Sequence, residues 1–136
     1  MEMHNPKIFI SAVILYSLFF FGMVIACQAG GQPTASWYSV DSCLREGGSG
    51  IMANGDPLND SAFTAASWNY PFGTMVEVQN INNGKTVLVE ITDRGPAKSL
   101  YYQGRLIDLS KAAFQAIADL RTGVIPITVR EVSNGS

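Results

Sequence analysis

Apolar and polar residues alternate in three stretches of the chain, and each stretch predicts a strand with one buried face. Val87, Val89 and Ile91 alternate with Thr86, Leu88, Glu90 and Thr92, while Val76 and Val78 alternate with Met75, Glu77 and Gln79 between Thr74 and Asn80. Ile125, Ile127 and Val129 form the inward set of a third strand from Ile125 to Val132, with Pro126 implying a sheet edge or a strand beginning. Shorter apolar pieces lie at Ala35 to Val40, Ile51 to Ala53, Ala62 to Ala66 and Arg105 to Leu109. A helical period occurs once: Ala113, Phe114, Ile117 and Leu120 share one face of a helix running from Lys111 to about Leu120, capped by Ser110. Between these pieces, residues 41 to 50 and Ala97 to Gly104 read as loops, Asn54-Gly55-Asp56-Pro57 as a turn, and Asn82-Asn83-Gly84-Lys85 as a hairpin loop. Six or seven short strands with one helix predict a mainly β fold, a small barrel, because closure removes the exposed edges that so many short strands would present.

The first 26 residues follow a different pattern. Lys7 precedes nineteen uncharged, mostly apolar residues from Ile8 to Ala26, which reads as a targeting segment outside the fold. The run is also long enough to span a bilayer as an uncleaved anchor. Val24-Ile25-Ala26-Cys27 resembles the lipobox of bacterial lipoproteins, which implies lipid on Cys27 as the mature N-terminus. A disulfide from Cys27 to Cys43 is the alternative in an oxidising compartment. The expected organisation is therefore a signal peptide at 1–26, a flexible Gly- and Pro-containing tether at 27–34, one domain at 35–132 and a disordered tail at 133–136.

Charge and residue usage narrow the function. A net charge of −2 without a basic run argues against nucleic-acid binding, which needs clustered positive charge. The single histidine, His4, lies in the targeting segment, so Ser-His-Asp and Cys-His catalysis are excluded from the domain. With cysteines only at 27 and 43 the usual zinc sites are excluded too, and neither metal nor cofactor is expected. General acid or base work then falls to carboxylates with shifted pKa values.

Ile91-Thr92-Asp93-Arg94-Gly95-Pro96 is the strongest candidate for chemistry, because a carboxylate and a guanidinium meet a forced turn at the end of an alternating strand. The plainer possibility is that Asp93 and Arg94 satisfy turn backbone and each other. Trp68 and Tyr70, in a loop with Pro71 and Gly73, can cover a core edge or offer a stacking surface to a sugar ring.

Six motifs then occur in register: Ala35-Ser36-Trp37-Tyr38, Met52-Ala53-Asn54-Gly55-Asp56, Phe63-Thr64-Ala65-Ala66, Pro71-Phe72-Gly73-Thr74, Thr92-Asp93-Arg94-Gly95-Pro96 and Arg105-Leu106-Ile107-Asp108-Leu109-Ser110. Their order and spacing resemble the rare lipoprotein A (RlpA)-like double-psi β-barrel domain, from about Thr34 to Val132. The resemblance implies a six-stranded double-psi β-barrel in the bacterial cell envelope, facing the periplasm or cell wall. It also implies a lytic transglycosylase that cuts peptidoglycan glycan strands and leaves anhydro-muramic acid ends. Asp93, Asp56 and Asp108 fall at the family's acidic positions and are the implied catalytic residues; Tyr38, Asn54, Ser67, Trp68 and Arg94 are the implied substrate contacts. Asp56 replaces the family's usual Glu, and Ser67 stands where enzymatic members often carry a His. Those departures keep open a non-catalytic, expansin-like barrel that binds peptidoglycan or organises the envelope. The expected partners are glycan strands and, through a lipid anchor, a membrane; the expected state is a monomer.

Overall fold

A computed structural model describes residues 31–132. The targeting segment, Cys27 with its lipid or its disulfide, the tether up to residue 30 and the tail 133–136 lie outside the described residues.

The described chain is a closed six-stranded barrel. Its strands are β1 (Thr34–Tyr38), β2 (Thr64–Ser67), β3 (Met75–Asn80), β4 (Thr86–Asp93), β5 (Arg105–Ser110) and β6 (Ile125–Glu131), in the order β1-β5-β2-β4-β3-β6. β1 and β5 run parallel, as do β2 and β4; the other pairs are antiparallel. The inward faces are those the alternation predicts, since Val76, Val78, Val89, Ile91, Ile125 and Ile127 are all buried in one core with Ile107 and Leu109.

Helix α3 (Lys111–Ile117) plugs this core with Ala113, Phe114 and Ile117. Its N-cap is Ser110, whose hydroxyl accepts from Ala113 N. The helix ends earlier than the apolar period suggests. Ala118 is extended, and Leu120 belongs to a following 3-10 turn, Leu120–Thr122, capped by the Asp119 side chain. Phe114 is fully buried, and truncating such a side chain to alanine costs about 3–5 kcal/mol.

Two expectations change. Residues 41 to 50, read as a loop, begin with helix α1 (Val40–Arg45), closed by a capping box in which Ser39 and Ser42 serve each other's backbone N–H. Residues 97 to 104 likewise contain a short helix α2 (Lys98–Tyr102). Both helices lack buried residues, so no apolar period marked them. Of the two positions expected for Pro126, the strand beginning is the one observed: it is the second residue of β6, which is paired on both sides. It lies beside the point where pairing with β1 (Thr34↔Pro126, Ala35↔Ile125) gives way to pairing with β3 from Ile127 onward, and its missing N–H is not required there.

Candidate active site

Two β-bulges place the acids. In strict alternation Asp93 would share the inward face of Val89 and Ile91. The β2–β4 register instead pairs Ala65 with Ile91 and Ala66 with Asp93, so Thr92 is an extra residue that turns Asp93 outward. The same device recurs in β5, where Thr34 pairs with Arg105 and Ala35 with Ile107. Leu106 is the extra residue there, and Arg105 and Asp108, three apart, come to one outer face.

Four adjacent strands then carry one row. Ser36 on β1 opposes Asp108 on β5, Asp108 opposes Ala66 on β2, and Ala66 opposes Asp93 on β4. Neighbouring strands lie about 4.8 Å apart, so the backbones bearing the two acids are roughly 10 Å apart over an alanine floor. Gly95 closes over that floor: a Cβ there would lie 3.3 Å from Ala66 Cβ and 3.8 Å from Asp108 Oδ2. The row forms the base of a cavity of about 370 Å³, walled on one side by Cys43 and Glu46 near α1 and on the other by Pro96, Ala97 and Leu100.

The two aspartates sit in different surroundings. Asp93 Oδ1 accepts from the backbone N–H groups of Ala53 and Arg94, each at 2.8 Å, and its Oδ2 accepts from the Tyr38 hydroxyl at 3.1 Å. Burial, then the Asp93 carboxylate, drive the Tyr38 phenol well above its ordinary range, so it remains a donor. Asp108 Oδ1 accepts from Ser36 Oγ at 2.5 Å. Burial raises the Asp108 carboxyl above the ordinary aspartate value, against the opposing pull of the Ser36 hydrogen bond and the Arg105 charge; Glu46 and Asp93 add to the rise.

Of the other sequence-derived candidates, Tyr38 and Arg94 line the cavity with this pair, while Asn54, Asp56, Ser67 and Trp68 do not. Asp56 is exposed on the 52–57 turn and does not line the cavity. Its Oδ2 accepts from Asn54 Nδ2 at 3.1 Å, and its backbone N–H donates to Asn54 Oδ1 at 3.0 Å. Ala53 of the same turn is the donor to Asp93. Ser67 is fully buried below the wall, with its hydroxyl accepting from Asn69 N at 3.1 Å. Arg94 Nη1 donates to the carbonyls of Ser67 at 2.7 Å and Tyr70 at 2.8 Å, and its guanidinium lies 3.9 Å from the Phe72 ring centroid. It forms no ion pair with Asp93. Trp68 is 37% exposed at the surface, donates from Nε1 to Pro96 O at 2.7 Å, and has Lys98 Nζ 3.8 Å from its ring centroid. Tyr70 packs partly against the core.

Sequence reasoning did not place Ser36, Arg105, Cys43 or Glu46 at the site, where all four line the cavity. The first two stand inside quoted motifs, and the alternation of Ser36 with the apolar Ala35 on β1 was the available signal for Ser36. Arg105 required the bulge, while Cys43 and Glu46 required a helix that composition concealed.

Comparison with known proteins agrees with this architecture. Residues 31–129 match the family model described as lytic transglycolase. Over 101 residues the chain is 40% identical to a probable endolytic peptidoglycan transglycosylase RlpA of Aquifex aeolicus, a match that covers 74% of this chain and 41% of that protein. Among solved structures, the Streptomyces papain inhibitor is similar at a TM-score of 0.55 and 28% identity, over 76% of this chain and 94% of the inhibitor. The apo expansin of Clavibacter michiganensis is similar at 0.54 and 25%, over 77% and 51%. The chain spans less than half the length of the curated relatives it matches, from 41% down to 20%.

Proposed function

Because the chain belongs to the lytic transglycolase family, we propose that it cleaves the glycan strands of peptidoglycan without water and leaves 1,6-anhydro-muramic acid ends. The observation that carries this reading is the raised carboxyl of Asp108, held by Ser36 at the base of a cleft that also contains Asp93.

Asp108 protonates the glycosidic oxygen, a role suited to an acid that holds its proton to higher pH than an ordinary aspartate. The resulting carboxylate accepts the proton of the muramic acid 6-hydroxyl as that oxygen closes on the anomeric carbon. No attacking water is needed, so the carboxyl spacings of hydrolases do not apply. Asp93, fixed by three donors, faces the positive charge that develops on the sugar ring. Tyr38 positions Asp93, and Arg94 positions the wall that presents Trp68 to a sugar. Asp56 and Asn54 hold together the turn whose Ala53 N–H donates to Asp93, and there the shorter Asp56 takes the place of the family's Glu. Ser67 acts beneath the wall rather than as a glycan contact.

The domain works in the cell envelope, tethered by lipid on Cys27 after removal of residues 1–26, and acts as a monomer without nucleic acid, metal or cofactor. The tether from residue 28 to Pro33 reaches about 20 Å when extended. Mass analysis of the membrane fraction tests the anchor; an unmodified Cys27, or one bonded to Cys43, contradicts it.

A second reading, a non-catalytic wall-binding barrel, is favoured by the Asp56 and Ser67 departures and by the likeness to an expansin. Zymography on peptide-free glycan strands with mass analysis of the products separates the two. Anhydro ends support the lyase, reducing ends indicate a hydrolase, and bound but uncut strands indicate the binder.

A further inference from the structure

We propose that Arg105 is a specificity-determining residue that reads the lactyl carboxylate of muramic acid; this rests on the peptidoglycan reading above. The bulge at Leu106 turns Arg105 onto the face of Asp108, and both line the cleft. Its surroundings there are acidic, with Asp93, Asp108 and Glu46 in the same cavity. Yet among the described residues Arg105 makes no side-chain hydrogen bond and no ion pair within 4.0 Å, and its Nε is buried without a partner. The neighbouring cations are already engaged. Arg94 holds two backbone carbonyls and stacks on Phe72, and Lys98 lies over Trp68. Of the two arginines that line the cleft, Arg105 is the one whose side chain makes no hydrogen bond to the protein among the described residues, and it is placed to meet an anion on the substrate.

A glycan strand of peptidoglycan carries that anion on alternate sugars, as the 3-O-lactyl carboxylate of each muramyl residue without a stem peptide. A guanidinium offers it a planar pair of donors, and among the described residues no protein acceptor competes for them. A neutral glycan such as cellulose has nothing comparable to offer.

The test uses glycan strands freed of stem peptides, and the same strands with their lactyl carboxyls converted to methylamides. Wild-type protein should show a kcat/KM about tenfold or more higher on the free-acid strands, expressed mainly in KM, as expected for one hydrogen-bonded charge pair. Arg105→Gln should bring the two strands to the same value, and Arg105→Lys should restore part of the preference. Equal wild-type rates on both strands, or a preference that survives Arg105→Gln, would overturn the proposal. So would an equal loss on both strands in Arg105→Gln, which would make Arg105 a partner of Asp108 alone. If neither strand is cut, the transglycosylase reading fails, and co-sedimentation decides Arg105 separately. Tighter wild-type binding of the free-acid strand, lost in Arg105→Gln, supports it, and equal binding contradicts it.

Discussion

Ser36 Oγ donates to Asp108 Oδ1 at 2.5 Å across the parallel pair of β1 and β5. The bond fixes one oxygen of the acid and leaves the other toward the cleft beside Gly95. It also opposes the rise that burial imposes on the carboxyl. Ser36→Ala should therefore drive the Asp108 carboxyl further up, moving the alkaline limb of the kcat profile to higher pH. At the optimum, kcat should fall about tenfold, the equivalent of one hydrogen bond to a charged group. A limb that stays in place would show that Asp108 does not set it.

Asp108→Asn should lose about 10²- to 10⁴-fold in kcat, the usual scale for removing a general acid. Its stability should not fall at neutral pH. The Asp108 carboxyl is raised in the folded chain, so in the window between its unfolded and folded values the native state holds the extra proton. Wild-type stability is then greatest below that window and declines as pH rises through it. The variant should match or exceed the wild-type Tm at neutral pH, with the difference vanishing in acid. A Tm that drops at neutral pH would give Asp108 a mainly structural role.

Asp93→Asn keeps one oxygen for the N–H groups of Ala53 and Arg94 but turns an amide nitrogen toward Tyr38. Unfolding should cost about 1 kcal/mol less, the scale of a single hydrogen bond, while cleavage disappears. A folded variant that cuts at the wild-type rate would leave Asp93 as a turn residue only. Denaturant midpoints and single-turnover rates on the same preparation distinguish these outcomes.

The arginine of the same turn behaves differently. Arg94→Lys removes the guanidinium geometry that lets Nη1 serve the carbonyls of Ser67 and Tyr70 together with stacking on Phe72. Stability should drop by about 1–3 kcal/mol, read by denaturant unfolding. A variant of unchanged stability with weakened glycan binding would instead make Arg94 a direct substrate contact.

How much of this was legible in the chain follows from what alternation can and cannot encode. Val76, Val78, Val89, Ile91, Ile125 and Ile127 pointed inward as their period required, because a barrel interior leaves no other place for such side chains. Alternation alone does not explain how Asp93, chosen for its place at the strand end, reaches the cleft, since by parity it belongs to the Ile91 face. Only the extra residue Thr92, visible in the register with β2, sends it outward. Arg105 was missed for the same reason at Leu106. Helices α1 and α2 were read as loops because neither buries a residue. The Ser39–Ser42 capping box was the signal available for α1. Asp56, chosen from its motif, lies on the exposed 52–57 turn outside the cavity lining, while Asp108, chosen from another, sits at the base of the cleft.

The most direct test of non-hydrolytic cleavage is digestion of peptide-free glycan strands in heavy-oxygen water, with mass spectrometry of the released fragments. The account predicts fragments lighter by one water than hydrolysis products, with no heavy oxygen at the new muramyl ends, and their loss in Asp108→Asn. Reducing ends carrying the heavy label, or strands bound without any release, would contradict it.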